Sequence, residues 1–266
     1  GIKIQSDNIF ILFGRVIHDV VQTMLRYYYN DNKSFYEFDY KMYFKKKLLE
    51  AIEESSKKEY STVTDTQILE VFTDGINFLN YFKANIHKYF KRRGWSIVGI
   101  EYNLDVEIKS EVKFVGFIDI LLYDSINNRY KIIDFKTSFH GWKSIDDLKR
   151  SQLILYKIYL AEQLNIDINS IDVEFLILKR KSYSKEFESY MQKQVPSSGS
   201  VIMKKTLKEF NEFVDTIFTE DNIYNTDREY SKTVEKNVCK NCEYFKKYCD
   251  GTNLRKLLND KKKTII

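Results

Sequence analysis

The segment YKIIDFKTS, residues 130–138, carries Asp134 and Lys136 within an apolar run that also holds Ile132, Ile133 and Phe135. Alternate residues of a β-strand share a face. Asp134 and Lys136 are therefore expected to project together with Ile132, and Ile133 and Phe135 to project to the other side. The preceding apolar segment, VKFVGFIDILLYD, holds Gly116 and Asp119. If the two segments pair as a meander, Asp119 reaches the face of Asp134. Two carboxylates in a partly dry site repel each other and lose hydration, and a divalent cation between them resolves that conflict. Oxygen donors suit Mg²⁺ or Mn²⁺. A lysine beside such an ion is surplus to charge balance, but it has a use if an anion is attacked there. Lys136 could orient the attacking water and offset charge building on a phosphate.

Two helical pairs could complete such a site. Gln152 and Tyr156 are four residues apart and so share one helix face, presenting an amide and a phenol to the metal site or to a nucleic-acid backbone. Gly14 and His18 are one turn apart near the start of the chain, with Gln22 one turn further on. Gly14 permits close approach, and His18 could supply an imidazole ligand. Each signal has a plainer reading. An Asp-x-Lys pair on a strand is most commonly a surface ion pair, and a lone histidine on an apolar helix is more often packed core. The weight lies in four such signals occurring in order, each on the element its geometry needs.

The elements that must position these residues are legible. Apolar Ile11, Leu12, Val16, Val20, Met24 and Leu25 recur at helical spacing and predict a helix over 8–29. KMYFKKKLLEAIEES predicts another. A helix over 64–93 opens on a Thr64–Gln67 capping box and closes with KRRG, Gly94 lying just past its end. The region 31–94 reads as a helical insertion or cap. Three alternating, β-branched segments then follow with short polar links, predicting an antiparallel meander. A helix capped by Ser144 or Asp146 comes next, then the apolar run DVEFLILKRK, expected to be a buried strand parallel to an earlier one. Residues 182–202 read as a loop, MKKTLKEFNEFVDTIF as an amphipathic helix, and 230–266 as a cysteine-bearing tail. The order is that of one α/β domain.

Composition narrows the setting. The 266 residues are 43% apolar and 30% charged, with one proline and nine glycines, which leaves no flexible linker or low-complexity tract. A net charge of +5 leans slightly toward a polyanionic partner, although many lysines neighbour Glu or Asp in sequence. No signal peptide and no apolar run long enough to span a bilayer is visible. The three cysteines do not form a secreted disulfide framework, so a reducing cytoplasm is expected.

The ordered set Gly14/His18, Gly116/Asp119, Asp134/Lys136 and Gln152/Tyr156 resembles the RecB-like branch of the PD-(D/E)XK nuclease superfamily. That branch includes recombination helicase–nuclease domains, CRISPR adaptation nucleases and phage exonucleases. The resemblance implies a restriction-endonuclease-like core over 1–266, a mixed central sheet flanked by helices. It also implies a metal-dependent DNA nuclease, expected to be an exonuclease acting on ends or single strands. His18, Asp119, Asp134 and the backbone carbonyl of Phe135 would hold Mg²⁺ or Mn²⁺, Lys136 would position the water, and Gln152 and Tyr156 would support the site and contact DNA. Glu101 stands where relatives often have an acid. Gln22 replaces a glutamate that relatives often place there. Cys239, Cys242 and Cys249 resemble a C-terminal triplet that joins a fourth, upstream cysteine around a 4Fe–4S cluster. The fourth is absent from this sequence, and Zn²⁺ is the alternative. Helicase or recombination and adaptation proteins are the partners implied. Two rival readings are a catalytically silent DNA-binding module within a larger complex, and a structural or redox protein organised by the cysteines.

Overall fold

The computed structural model of the chain describes residues 8–56, 63–182, 189–221 and 223–228, the side chain of Asn32 apart. Helix α1 (Ile9–Asn30) begins where the Asn8 side chain accepts from the Phe10 N–H. Its buried stripe runs through Leu12, Val16, Val20 and Met24, whereas Ile11, expected in that stripe, is 63% exposed. Helices α2 (Asn32–Glu37), α3 (Tyr40–Ser56) and α4 (Asp65–Tyr89) follow. The capping box forms as expected, with the Gln67 N–H donating to Thr64 Oγ1 and the Thr64 N–H to Gln67 Oε1.

Helix α4 stops at Tyr89, short of the expected 93. Phe90 leaves the helix in an extended conformation and is buried against Phe82, so burial of one ring ends the helix before the cationic run. Gly94, at φ +80°, belongs to the turn that enters β1, where an added Cβ would meet the Ile126 side chain.

Strands β1 (Trp95–Lys109), β2 (Val112–Asp124) and β3 (Arg129–Ser138) form the antiparallel meander. Helix α5 (Asp147–Leu164), capped by Asp146, crosses to β4 (Ile171–Lys179), which runs parallel to β3. Part of 182–202 is not loop. Residues Met191–Gln194 form a short strand, β5, antiparallel to β4, and α6 (Ser200–Ile217) starts inside the same stretch. The sequence MQKQ gives no apolar alternation. What fixes the strand is the free edge of β4 together with burial of Met191. The result is a mixed five-stranded sheet in the order β1-β2-β3-β4-β5 with helices on both faces, an α/β arrangement consistent with a restriction-endonuclease-like core. No helix among the described residues is long and apolar enough to cross a membrane. The tail cysteines Cys239, Cys242 and Cys249 lie outside the described residues.

Each face of the sheet has its own core. On one, Phe44, Leu48, Phe78 and Phe82 from the 31–94 region pack with α1 and with Ile120, Leu122, Ile133 and Phe135. On the other, Leu153 and Leu160 of α5 meet Ile118, Leu121, Ile132, Phe175 and Ile177. Ile132 and Ile133 thus face opposite ways, as alternation in the strand requires.

A buried ion cluster fastens α4 to the end of β4. Asp74, 1% exposed, accepts from Arg180 Nε and Nη2 at 3.0 and 2.8 Å and from Lys181 Nζ at 2.5 Å. Removing the carboxylate leaves the Arg180 guanidinium buried with only Glu70 beside it. Asp74→Ala is expected to lower unfolding free energy by about 3–5 kcal/mol, measured by chemical denaturation. A loss below about 1 kcal/mol, the range of an exposed pair, would contradict that reading.

Candidate active site

The β2–β3 ladder runs from Asp124↔Arg129 to Ile120↔Ile133 and stops. One step further, the same register would set Asp119 directly opposite Asp134. Like charges in that position are destabilising, and the strands part there. The donor that a ladder would have used is taken by a side chain instead: the Phe135 N–H donates to Asp119 Oδ2 at 2.5 Å.

The strands also change phase at this level. Ile100 and Ile120 pack in the core on the α1 side, yet Tyr102 and Ile118, two positions away in each strand, pack on the α5 side. Residues i and i+2 of a regular strand share a face, so alternation inverts at Glu101 in β1 and at Asp119 in β2. The backbone records the inversion: Glu101 has φ +50°, a left-handed conformation uncommon for a residue with a side chain. This distortion lets the Asp119 carboxylate point along the sheet toward β3.

Around this gap the expected residues gather. Asp134 is 2% exposed, and its Oδ1 accepts from Gln152 Nε2 at 3.1 Å. Gln152 Nε2 also donates to Tyr156 Oη at 3.2 Å. Lys136 Nζ lies 2.7 Å from Asp134 Oδ2 and is the cation that pairs with this buried oxygen. His18 comes from the α1 side with Nδ1 4.0 Å from Asp119 Oδ2 and its ring edge-on to Phe135. Gln22 Nε2 donates to Glu101 Oε1 at 2.5 Å. A glutamate at position 22 would face Glu101 as a second acid; the amide instead holds it.

The motif glycines are contact points between layers. A Cβ on Gly14 would meet Thr137 Oγ1 at 2.9 Å, so α1 lies close against the end of β3. A Cβ on Gly116 would meet the Tyr156 ring at 2.8 Å. Thr137, which seats α1, was not singled out from sequence; its only signal there is its place after Lys136.

The electrostatics follow from burial. Desolvation, and then the Asp134 charge, push Asp119 up to about 7. Burial also raises Asp134, against the pull of Lys136. His18 is lowered to about 4 by burial and by the Lys136 ammonium, so it is neutral at pH 7 and keeps a lone pair. Tyr156 is raised by burial.

Among the described residues, no group of three or more His, Cys, Asp or Glu side chains is arranged to hold a metal ion by itself. The donors nevertheless fit a divalent cation. Asp119 and Asp134 are oxygen donors held in a desolvated site that disfavours their charge, and His18 is neutral. The N–H and C=O of a strand residue point to the same edge. The Phe135 carbonyl therefore faces the opening where the β2–β3 ladder has ended.

One comparison with known proteins shows the family. The profile described as the PD-(D/E)XK nuclease superfamily matches residues 6–250. A solved structure described as "Crystal structure of SSO0001" is similar at 12% identity, over 86% of this chain and 82% of that one, with a TM-score of 0.32. No curated protein matches.

The raised acids set a pH dependence. A carboxylate raised from 3.8 to about 7 by folding contributes stability that is present at low pH and lost as pH rises through that window. In EDTA at pH 8, Asp119→Asn is expected to be more stable than the parent by about 2–4 kcal/mol, with the difference closing toward pH 4. Mg²⁺ or Mn²⁺ should raise the parent's Tm at pH 8 and leave that of the variant nearly unchanged. Parallel pH profiles, or equal metal effects, in thermal melts would contradict the electrostatic assignment.

Proposed function

The chain belongs to the PD-(D/E)XK nuclease superfamily, and from that premise we propose that it is a metal-dependent deoxyribonuclease hydrolysing phosphodiester bonds. The finer reading is a RecB-like exonuclease acting on DNA ends or single strands, which rests on the order of the Gly14/His18, Gly116/Asp119, Asp134/Lys136 and Gln152/Tyr156 motifs. The observation that carries the proposal is the convergence of Asp119, the buried Asp134 with Lys136 2.7 Å from its Oδ2, and His18 at the parted strands.

His18, Asp119, Asp134 and the Phe135 carbonyl would hold Mg²⁺ or Mn²⁺. When bound, the ion supplies Lewis acidity to the attacking water and to the phosphate. The chain's own residues do the rest. Gln152 fixes the rotation of the Asp134 carboxylate, and Tyr156 fixes Gln152. Lys136 keeps 31% of its side chain exposed, so its ammonium can reach a substrate phosphate, hold a water in line for attack and offset charge on the phosphoryl oxygens. Phe135 and Phe175 wall the site with apolar surface, which strengthens every charge interaction inside it. The intact set of Asp119, Asp134 and Lys136 speaks against a catalytically silent DNA-binding module. A cluster or zinc on Cys239, Cys242 and Cys249, and a helicase or recombination partner, belong to the RecB-like reading.

End-labelled linear and circular single-stranded DNA, incubated with Mg²⁺ or Mn²⁺ and with EDTA, tests the proposal. Linear substrate should be degraded in either metal, circular substrate should persist, and EDTA should stop the reaction. Asp134→Ala and Lys136→Ala should each lose at least about a hundredfold in rate while keeping the parent's circular dichroism. Cleavage at the parental rate in either variant would exclude the assigned roles.

A further inference from the structure

Directly after Lys136, the residues Thr137, Ser138 and Phe139 line a cavity of 370 Å³ that the proposed hydrolysis does not use. Its remaining wall is two aromatic rings and an ion pair: Phe10 and Phe13 from the first turns of α1, Glu70 of α4, and Arg180 just past β4. The Arg180 guanidinium lies 4.4 Å from the Phe10 ring centre, 5.7 Å from that of Phe13 and 5.1 Å from that of Phe139. Phe13 is buried, but Phe10 is 37% and Phe139 46% exposed, so each leaves ring surface open to a ligand.

Charge decides what kind of ligand fits. Arg180 Nε and Nη2 are committed to Asp74 and Glu70, and Lys181 is committed to Asp74. Two cations and two carboxylates cancel, so the cavity offers little net attraction to a phosphate. It offers flat, polarisable walls with a few hydrogen-bonding groups at the rim, the Thr137 hydroxyl and the Glu70 carboxylate among them. Its volume lies near the lower end of the range of about 300–1,000 Å³ for small organic ligands. That surface suits a stacked, uncharged heteroaromatic ring.

Position decides where the ring comes from. Phe10 and His18 are eight residues apart on α1, about 12 Å along its axis. Asp134 and Ser138 are separated by a similar distance along β3, about 13 Å. The cavity therefore lies beside the site, within reach of the same strand. We infer that it receives an unstacked nucleobase of single-stranded DNA, near the scissile phosphate, between Phe10 and Phe139. This rests on the nuclease reading for its substrate and supplies a physical reason for the single-strand preference proposed there, because a base in a duplex cannot leave its stack without cost.

The test uses the intact chain in EDTA with single-stranded oligonucleotides carrying one 2-aminopurine at successive positions from an end, and in parallel measures cleavage of single-stranded and duplex substrates in Mg²⁺. One position should show fluorescence quenching on binding. Phe139→Ala and Phe10→Ala should each remove that quenching and raise Kd and KM for single strands about tenfold, with kcat and duplex cleavage unchanged, and Phe139→Trp should restore binding. If the parent cleaves but no position is quenched, or both alanine variants quench and bind like the parent, the base site is overturned while the nuclease reading stands. Quenching that depends on Phe10 and Phe139 in a chain that cleaves nothing in either metal would support the base site and defeat the nuclease reading. Circular dichroism confirms that each variant compared is folded.

Discussion

Asp119 and Asp134 would face each other across adjacent strands if the β2–β3 register continued, in a place where burial already disfavours charge on both. Backbone pairing cannot continue through that point without setting two carboxylates side by side. The ladder ends, and the gap it leaves is where the remaining groups converge. The Phe135 N–H bonds to Asp119 instead of to β2, the ammonium of Lys136 lies against Asp134, and Gln152 fixes the other Asp134 oxygen. A sheet optimised only for stability would carry an apolar pair at this position. The polar arrangement, with two buried carboxylates whose charge burial disfavours, has the character of a site that holds strain because a ligand relieves it.

The gap also lets the two faces of the sheet meet. His18 belongs to the α1 layer and Gln152 and Tyr156 to the α5 layer, and an intact sheet would keep them apart. Close approach on both sides depends on missing side chains: Gly14 lets α1 rest on Thr137, and Gly116 lets the Tyr156 ring rest on β2. The left-handed Glu101 is a further adjustment, since it allows β1 to follow the phase change in β2 while Gln22 ties its carboxylate to α1. The helices from 31–94 enter through the same layer, because their aromatic residues share a core with Phe135 and Ile133.

Much of this was legible where a local rule governs. Alternation placed Ile132 and Ile133 on opposite faces, the Thr64–Gln67 box marked a helix start, and the apolar run in β4 announced a strand buried on both sides. The residues gathered at the parted strands were also named from sequence, because each pair is spaced for one face of a strand or helix and the order of the pairs resembles a known family. Features set by long-range packing were not legible. Burial of Phe90 ended α4 early, the free edge of β4 recruited four mostly polar residues as β5, and the Arg180–Asp74 bond joins positions 106 apart. The phase change at Glu101 left no trace either, since glutamate has no preference for a left-handed backbone.

Three consecutive residues show how little chain such a site needs. A strand offers three directions: one face, the other face, and the edge in the plane of the sheet. Asp134 and Lys136 take the α5 face, where one supplies a buried oxygen and the other a partly exposed cation. Between them, Phe135 sends its ring into the α1 core against His18 and its N–H to Asp119 at the strand edge. Lys136 then acts on both sides of the strand at once: it steadies Asp134, and its charge, added to burial, keeps the His18 imidazole neutral. Replacing Lys136 by a neutral residue therefore removes more than a substrate contact. It leaves Asp134 without a counter-charge and relaxes the electrostatic penalty on a protonated His18, so an acid and a histidine on opposite faces of one strand are set by the same ammonium group.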